Sequence, residues 1–263
     1  MNPADYQRFL DELTSGLEAD PDVVGLVALG STADDSSRDR WSDHDFWVIT
    51  APGAQPRYLE SLSWLPRAEE ILLTVRHKPS GRDVLYRDGH KVEYIVFDPE
   101  EAVRGKIERY RVLIDRRDIE TLAESIRLRT REERADVLGR PDVLENLCVL
   151  LWTAHERWER GERLSARQYI QFSIDRFLNV LAAHGGLSGA GLADGLDARR
   201  RLEQRETELG RELSRVGLLT PAEAGVVLLE LARQRLSEKA PQLAWDKVRV
   251  VSQWLEEAGR TVS

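Results

Sequence analysis

The chain has 263 residues, 41% hydrophobic and 32% charged, with a formal net charge of −8. That length holds one large domain or two small ones around a real core, and a single cysteine, Cys148, set among Leu147, Val149 and Leu150, excludes a disulfide framework or a Cys/His metal cluster. A reducing, cytoplasmic setting is therefore expected; the first twenty residues lack the apolar stretch of a secretory leader, and no run approaches the roughly 18 apolar residues of a membrane span, so no membrane partner is expected.

Residues 4–18 place Tyr6, Phe9, Leu10, Leu13 and Leu17 at helical spacing, which predicts an amphipathic helix. Asp20-Pro21-Asp22 breaks it. Residues 23–29 are apolar and rich in valine, a buried strand; Gly30-Ser31 is a turn, and 32–37 have room for one or two helical turns. A second strand is predicted over 44–50, closed by Pro52-Gly53, then a helix over 57–69 and a third strand over 71–75. A turn at Pro79-Ser80-Gly81 leads to a short strand over 83–87, and Asp88-Gly89 is a hairpin signal into a strand over 90–97. Pro99 is read as the end of the sheet region.

From Asp118 onward the chain is rich in Leu, Ala, Arg and Glu, with helical periodicity at about 119–137, 142–160, 165–184, 197–215, 221–237 and 244–258. Gly185-Gly186 stops one of these helices and opens a Gly/Ala/Ser loop over 185–195. Thr220-Pro221-Ala222-Glu223 reads as an N-cap with proline at the first helical position and an acidic third one. The expected class is α+β, with a sheet-bearing domain over 1–118 and an all-α helical bundle over 119–263. Residues 1–118 carry 23 acidic and 16 basic side chains, and residues 119–263 carry 23 and 22. The negative surplus of the first part argues against a nucleic-acid partner and suits divalent cations and a positively charged small substrate.

Asp43 and Asp45 open the second strand. Side chains two apart on a strand share a face, so the two carboxylates project together and His44 points the other way. Magnesium prefers oxygen ligands completed by phosphate oxygens and water. Gly30 allows backbone to approach a phosphate closely, and Ser31 offers a hydroxyl and nearby N–H groups to the same anion. Glu93 lies within Lys91-Val92-Glu93-Tyr94-Ile95-Val96-Phe97, and a carboxylate in so apolar a strand is costly unless paired, ligated or facing a cleft. Lys91, Glu93 and Ile95 share one face. If that strand lies beside 44–50, Glu93 joins Asp43 and Asp45; the competing reading is an exposed face or an ion pair with Lys91.

Gly30-Ser31, Asp43-x-Asp45 and Glu93 together resemble the signature of the nucleotidyltransferase superfamily that includes DNA polymerase β. The helical second half makes the chain look more like its small-molecule branch, the aminoglycoside and lincosamide nucleotidyltransferases of antibiotic resistance. The motifs cover roughly residues 23–98. The resemblance implies a nucleotidyltransferase-type mixed sheet with flanking helices. It also implies two Mg²⁺ ions held by Asp43 and Asp45, with ATP or another nucleoside triphosphate gripped by Gly30 and Ser31. Glu93 would complete one metal site or take the proton from the acceptor. A hydroxyl of a small acceptor would attack the α-phosphorus and release pyrophosphate. One departure stands: Asp34-Asp35 occupy the place where many members have a glycine, which keeps open a catalytically weak nucleotide-binding or regulatory role.

In the helical half, Trp152, His155, Glu156 and Glu159 recur at i, i+3, i+4 and i+7 and share a helix face. Acidic and aromatic groups there could form the substrate-binding wall for a cationic acceptor; the plainer reading is a solvated amphipathic helix. Asp175, among apolar neighbours, calls for an arginine partner. His184 suits a helix C-terminus, Arg199-Arg200-Arg201 is either a solvated run or a phosphate contact, and His77-Lys78 lie at a strand end. The apolar segments late in the chain fit a monomer's core or a homodimer's face.

Overall fold

The computed structural model of the chain describes residues 2–77, 79–138, 140, 142–187 and 197–260. Helix α1 (Pro3–Glu18) starts with Asn2 accepting the N–H of Asp5 and buries Tyr6, Phe9, Leu10, Leu13 and Leu17. Strand β1 (Val23–Leu29) leads into the single turn α2 (Gly30–Ala33) and a 3₁₀ turn at Asp35–Ser37. Strand β2 (His44–Thr50) and helix α3 (Gln55–Glu60) follow, then β3 (Ile71–His77), β4 (Gly81–Tyr86) and β5 (Lys91–Phe97). The short α4 (Pro99–Ala102) precedes β6 (Tyr110–Asp115).

The six strands form one mixed sheet in the order β3-β4-β5-β2-β1-β6. Only β2 and β5 run parallel; the other neighbours are antiparallel. Two expectations need correction. The sheet does not end at Pro99: β6 returns to pair with β1 from Gly25↔Asp115 to Leu29↔Tyr110. Tyr110-Arg111-Val112-Leu113 has little polar alternation, and its strand state comes from the free edge of β1. The helix expected over 57–69 is only α3, because Ser61 takes an extended backbone and Arg67 sits at φ 58°.

The sheet has a core on each face. Phe9, Leu10, Leu13 and Tyr58 pack with Phe46, Val84, Tyr86 and Tyr94 on one side. On the other, Val27, Trp47 and Ile49 meet Ala102, Ile107, Ile119, Ala123 and Ile126. Gly25 lets that second layer close in, since a Cβ there would stand 2.7 Å from the Ile119 side chain.

Helix α5 (Ile119–Leu138) runs across the division between two compact units, Met1–Glu132 and Glu133–Ser263. The expected limit at 118/119 is where α5 begins, and the division falls further along that helix. The second unit holds α6 (Val143–Glu159), α7 (Arg163–Ala183), α8 (Leu202–Arg205), α9 (Thr207–Val216), α10 (Pro221–Leu236) and α11 (Trp245–Arg260). The helix expected over 197–215 is instead a turn followed by α8 and α9, broken at Glu206. Thr220 and Glu223 make the reciprocal capping box at the start of α10. A core that includes Leu144, Leu147, Leu151, Phe177, Leu181, Leu228 and Leu236 holds the unit together. The chain is thus α+β, with a mixed sheet in its first unit and a helical second unit. No helix among the described residues is long and apolar enough to cross a membrane.

Candidate active site

The site lies where β1 ends and β2 begins. Gly30 turns the chain at φ +52°, a left-handed conformation that glycine takes without cost. Its N–H donates to the Arg109 carbonyl at 3.2 Å. A Cβ at Gly30 would lie 3.6 Å from Asp45 Oδ2, so the turn abuts that carboxylate. Ser31 follows, 6% exposed.

Thr32 and Tyr6 set the backbone of the two aspartates. The Thr32 hydroxyl accepts the Asp45 N–H at 2.9 Å and lies 2.9 Å from the Tyr6 hydroxyl. Tyr6 donates to the Asp43 carbonyl at 2.8 Å. Burial pushes the Tyr6 phenol up to about 12, so it stays protonated and able to donate. Each aspartate is thereby tied by its main chain to the α1–α2 region. Neither Tyr6 nor Thr32 stands out as a site residue in the sequence. Tyr6 reads there only as one apolar position of a helix, and Thr32 only as a helix start.

His44, between the aspartates, is fully buried on the opposite face. Its ring stacks on Tyr6 at 3.6 Å. Nε2 lies 3.2 Å from the Tyr6 carbonyl, which can only accept, and Nδ1 lies 2.7 Å from His90 Nε2. This assigns the His44 proton to Nε2 and makes His90 the donor to Nδ1. Burial first, then the facing histidine, pulls His44 down to about 2; burial pulls His90 to about 4. The layer beneath the carboxylates is therefore neutral at physiological pH.

Strand β5 brings Glu93 into register with Asp45, and β4 brings Asp83 into register with Glu93. Registered residues share a sheet face, so Asp45, Glu93 and Asp83 form a row across three strands, with Asp43 two residues before Asp45. Asp83 is a further carboxylate that sequence reasoning missed; the signal was its place in a short strand next to the hairpin. The alternative reading of Glu93 also holds: Lys91 Nζ is 3.0 Å from Glu93 Oε2 and 3.6 Å from Asp43 Oδ2.

Among the described residues, no group of three or more His, Cys, Asp or Glu is arranged to hold a metal ion by itself. The donor set is nonetheless of the right chemical kind. It is all oxygen, it sits beside a glycine turn, and its open partners would be phosphate and water. Magnesium is normally held by one or two carboxylates plus substrate phosphates rather than by an all-protein cage. Asp43 and Asp45, with Glu93 beside Asp45, fit that mode.

Asp34 and Asp35 are used locally. Asp34 accepts from the Ser36 N–H and hydroxyl at 3.0 and 2.7 Å and pairs with Arg109 at 3.5 Å. The Ser36 hydroxyl bond is the main cause that holds its carboxyl below the usual range. Asp35 pairs with Arg38 at 2.6 Å. The two residues fold the loop after α2.

In the helical unit, His155 Nδ1 lies 3.9 Å from Glu159 Oε1. Both line a cavity of 170 Å³ together with Trp158, Thr220, Ala222 and Glu223. Trp152 instead packs against the core and against Trp254, with ring centroids 5.5 Å apart, and Glu156 is exposed. Asp175 finds its arginine in Arg199 at 2.9 Å, which places one residue of the Arg199-Arg200-Arg201 run in an ion pair. His184 is the C-cap of α7. Lys78, the His77 side chain and most of the 185–195 loop lie outside the described residues.

No family model matches the chain, and no curated protein matches it. Among solved structures, the chain is similar to an aminoglycoside 6-adenyltransferase from Bacillus subtilis at 12% identity and a TM-score of 0.38, over 96% of this chain and 98% of that one. It is also similar to a nucleotidyltransferase-like protein from Exiguobacterium sibiricum 255-15 at 12% identity and a TM-score of 0.35, over 90% of this chain and 77% of that one. Likenesses of this size carry no argument about this chain, and its site is read from its own residues.

Proposed function

We propose that the protein is a magnesium-dependent nucleotidyltransferase that moves a nucleoside monophosphate, with AMP from ATP as the first candidate, to a hydroxyl of a small acceptor. The observation that carries this reading is the Gly30 turn set against Asp45, with Asp45 in parallel register with Glu93 and Asp43 reached by the same Lys91 ammonium that pairs with Glu93. A glycine turn, a buried serine and a row of carboxylates on one face match the needs of phosphoryl transfer, where positioning and charge neutralisation supply most of the acceleration.

Asp43 and Asp45 would hold the divalent ions, with Glu93 completing the set. Bound there, such ions neutralise the triphosphate and stabilise attacking and leaving oxygens. The Gly30-Ser31 turn would receive the phosphates. A carboxylate of the row, Glu93 foremost, accepts the proton of the acceptor hydroxyl as its oxygen bonds to the α-phosphorus. The bond to the β-phosphate oxygen breaks, and pyrophosphate leaves with the electron pair. Tyr6 and Thr32 hold the main chain of the two aspartates throughout. An amine-bearing, aminoglycoside-like acceptor suits the acidic balance of the first unit. The regulatory alternative rested on Asp34-Asp35, and their hydrogen bonds and ion pairs account for them as loop residues.

Asp45→Asn is expected to abolish pyrophosphate release from ATP with a hydroxyl acceptor while leaving the melting temperature at or above the wild-type value, because it removes charge from a crowded carboxylate row. A purified Asp45→Asn protein that turns over at the wild-type rate would overturn the assignment.

A further inference from the structure

Lys91 opens β5 on the carboxylate face, and its ammonium reaches oxygens of both Glu93 and Asp43, at 3.0 and 3.6 Å. Asp83 adds to the negative field around it. Burial works against the charge on Lys91, but the hydrogen bond to Glu93 and the fields of Glu93, Asp43 and Asp83 outweigh it and hold the amine above the ordinary lysine range. Its side chain is 43% exposed, so the long stem has room to swing into solvent.

Carboxylates gathered on one face repel each other unless a cation lies among them. Lys91 lies among them as such a cation, and it touches two of the residues assigned above to metal binding. An ammonium and a divalent ion held by the same carboxylates repel each other, so binding of one opposes binding of the other.

We propose that Lys91 is a stand-in cation: it neutralises Asp43 and Glu93 while the site is empty and is displaced when a divalent ion arrives. The inference rests on the nucleotidyl-transfer reading of Asp43 and Asp45. Its consequence is that the bare divalent ion binds weakly, since it must first evict Lys91. The ion arriving with a triphosphate binds better, because the displaced ammonium gains phosphate oxygens as new partners. The site thus discriminates in favour of the metal–nucleotide complex over free metal.

The test is Mn²⁺ binding to the nucleotide-free, full-length protein, followed by the paramagnetic resonance of free Mn²⁺, with melting temperatures recorded in chelator and in Mn²⁺. Lys91→Met and Lys91→Gln are expected to bind Mn²⁺ at least about threefold more tightly than wild type, the direction Coulomb competition requires. They should also melt lower than wild type in chelator and gain more from added Mn²⁺. Lys91→Arg, which keeps the charge, should bind as wild type does. If the Met and Gln variants bind no more tightly while Asp45→Asn loses Mn²⁺ binding, the stand-in role is overturned and the reading of Asp45 survives. If Asp45→Asn binds Mn²⁺ as wild type does, the metal reading of the site falls and this inference falls with it.

Discussion

Gly30 shows how much one residue decides. At φ +52° a side chain costs about 1–2 kcal/mol, and a Cβ there would also lie 3.6 Å from Asp45 Oδ2. Gly30→Ala should lower stability in urea denaturation by about that amount. Gly30→Asn should lose less, because asparagine tolerates the left-handed region. Both variants put a side chain beside Asp45, so both should lose nucleotidyl transfer by more than their stability loss explains. If Gly30→Asn kept full activity, close phosphate approach at this turn would not be what the glycine provides. Tyr6 and Thr32 belong to the same scale. Their hydroxyls satisfy the Asp43 carbonyl and the Asp45 N–H, and the aspartates are left to present their carboxylates.

At the scale of elements, α1 is fixed to the sheet through Tyr6 and Phe9 against His44 and His90, with Phe9 4.7 Å from each imidazole. That contact has a pH dependence whose sign follows from the depressed histidines. Both fold as neutral rings, pulled from 6.5 to about 2 and about 4. Below pH 6.5 the unfolded chain takes up protons that the folded chain refuses, so stability is full above that pH and falls as pH drops toward the folded values. The slope is about 1.4 kcal/mol per pH unit for each proton refused. Melting temperature should therefore fall steeply between pH 6.5 and pH 4. His90→Gln should make that fall shallower, and an unchanged slope would remove His90 from the account. The sheet edge teaches a related lesson. Residues 110–115 become β6 because β1 offers an unpaired edge on that side, and no local pattern announces it.

At the scale of the whole molecule, each unit has its own core: the two faces of the sheet in the first, and the α6, α7 and α10 layer in the second. Leu228 is fully buried in the helical core, so Leu228→Ala should cost about 2–5 kcal/mol. Hydrogen exchange should locate the loss: amides of α6, α7 and α10 lose protection while those of β1, β2 and β5 keep theirs. Equal loss in both sets would mean that the two units unfold as one.

The long helices, five of the six strands, the Thr220 capping box and the hairpin at Gly89 are legible in the amino-acid order, because periodicity, caps and turn residues act over a few neighbouring positions. Gly30-Ser31 as a turn after one apolar run, Asp43 and Asp45 at the start of the next, and Glu93 within a third also stand out in it. That β5 lies parallel to β2, which puts Glu93 level with Asp45, and that β4 adds Asp83 to the row come from the three-dimensional fold. It alone placed Tyr6 under Asp43, paired His44 with His90, and brought Lys91, already expected beside Glu93, to Asp43 as well. Tyr6 and Asp43 are 37 positions apart and His44 and His90 are 46 apart, Asp45 and Glu93 lie on different strands, and strand order and register are set by the packing of whole faces rather than by any local run.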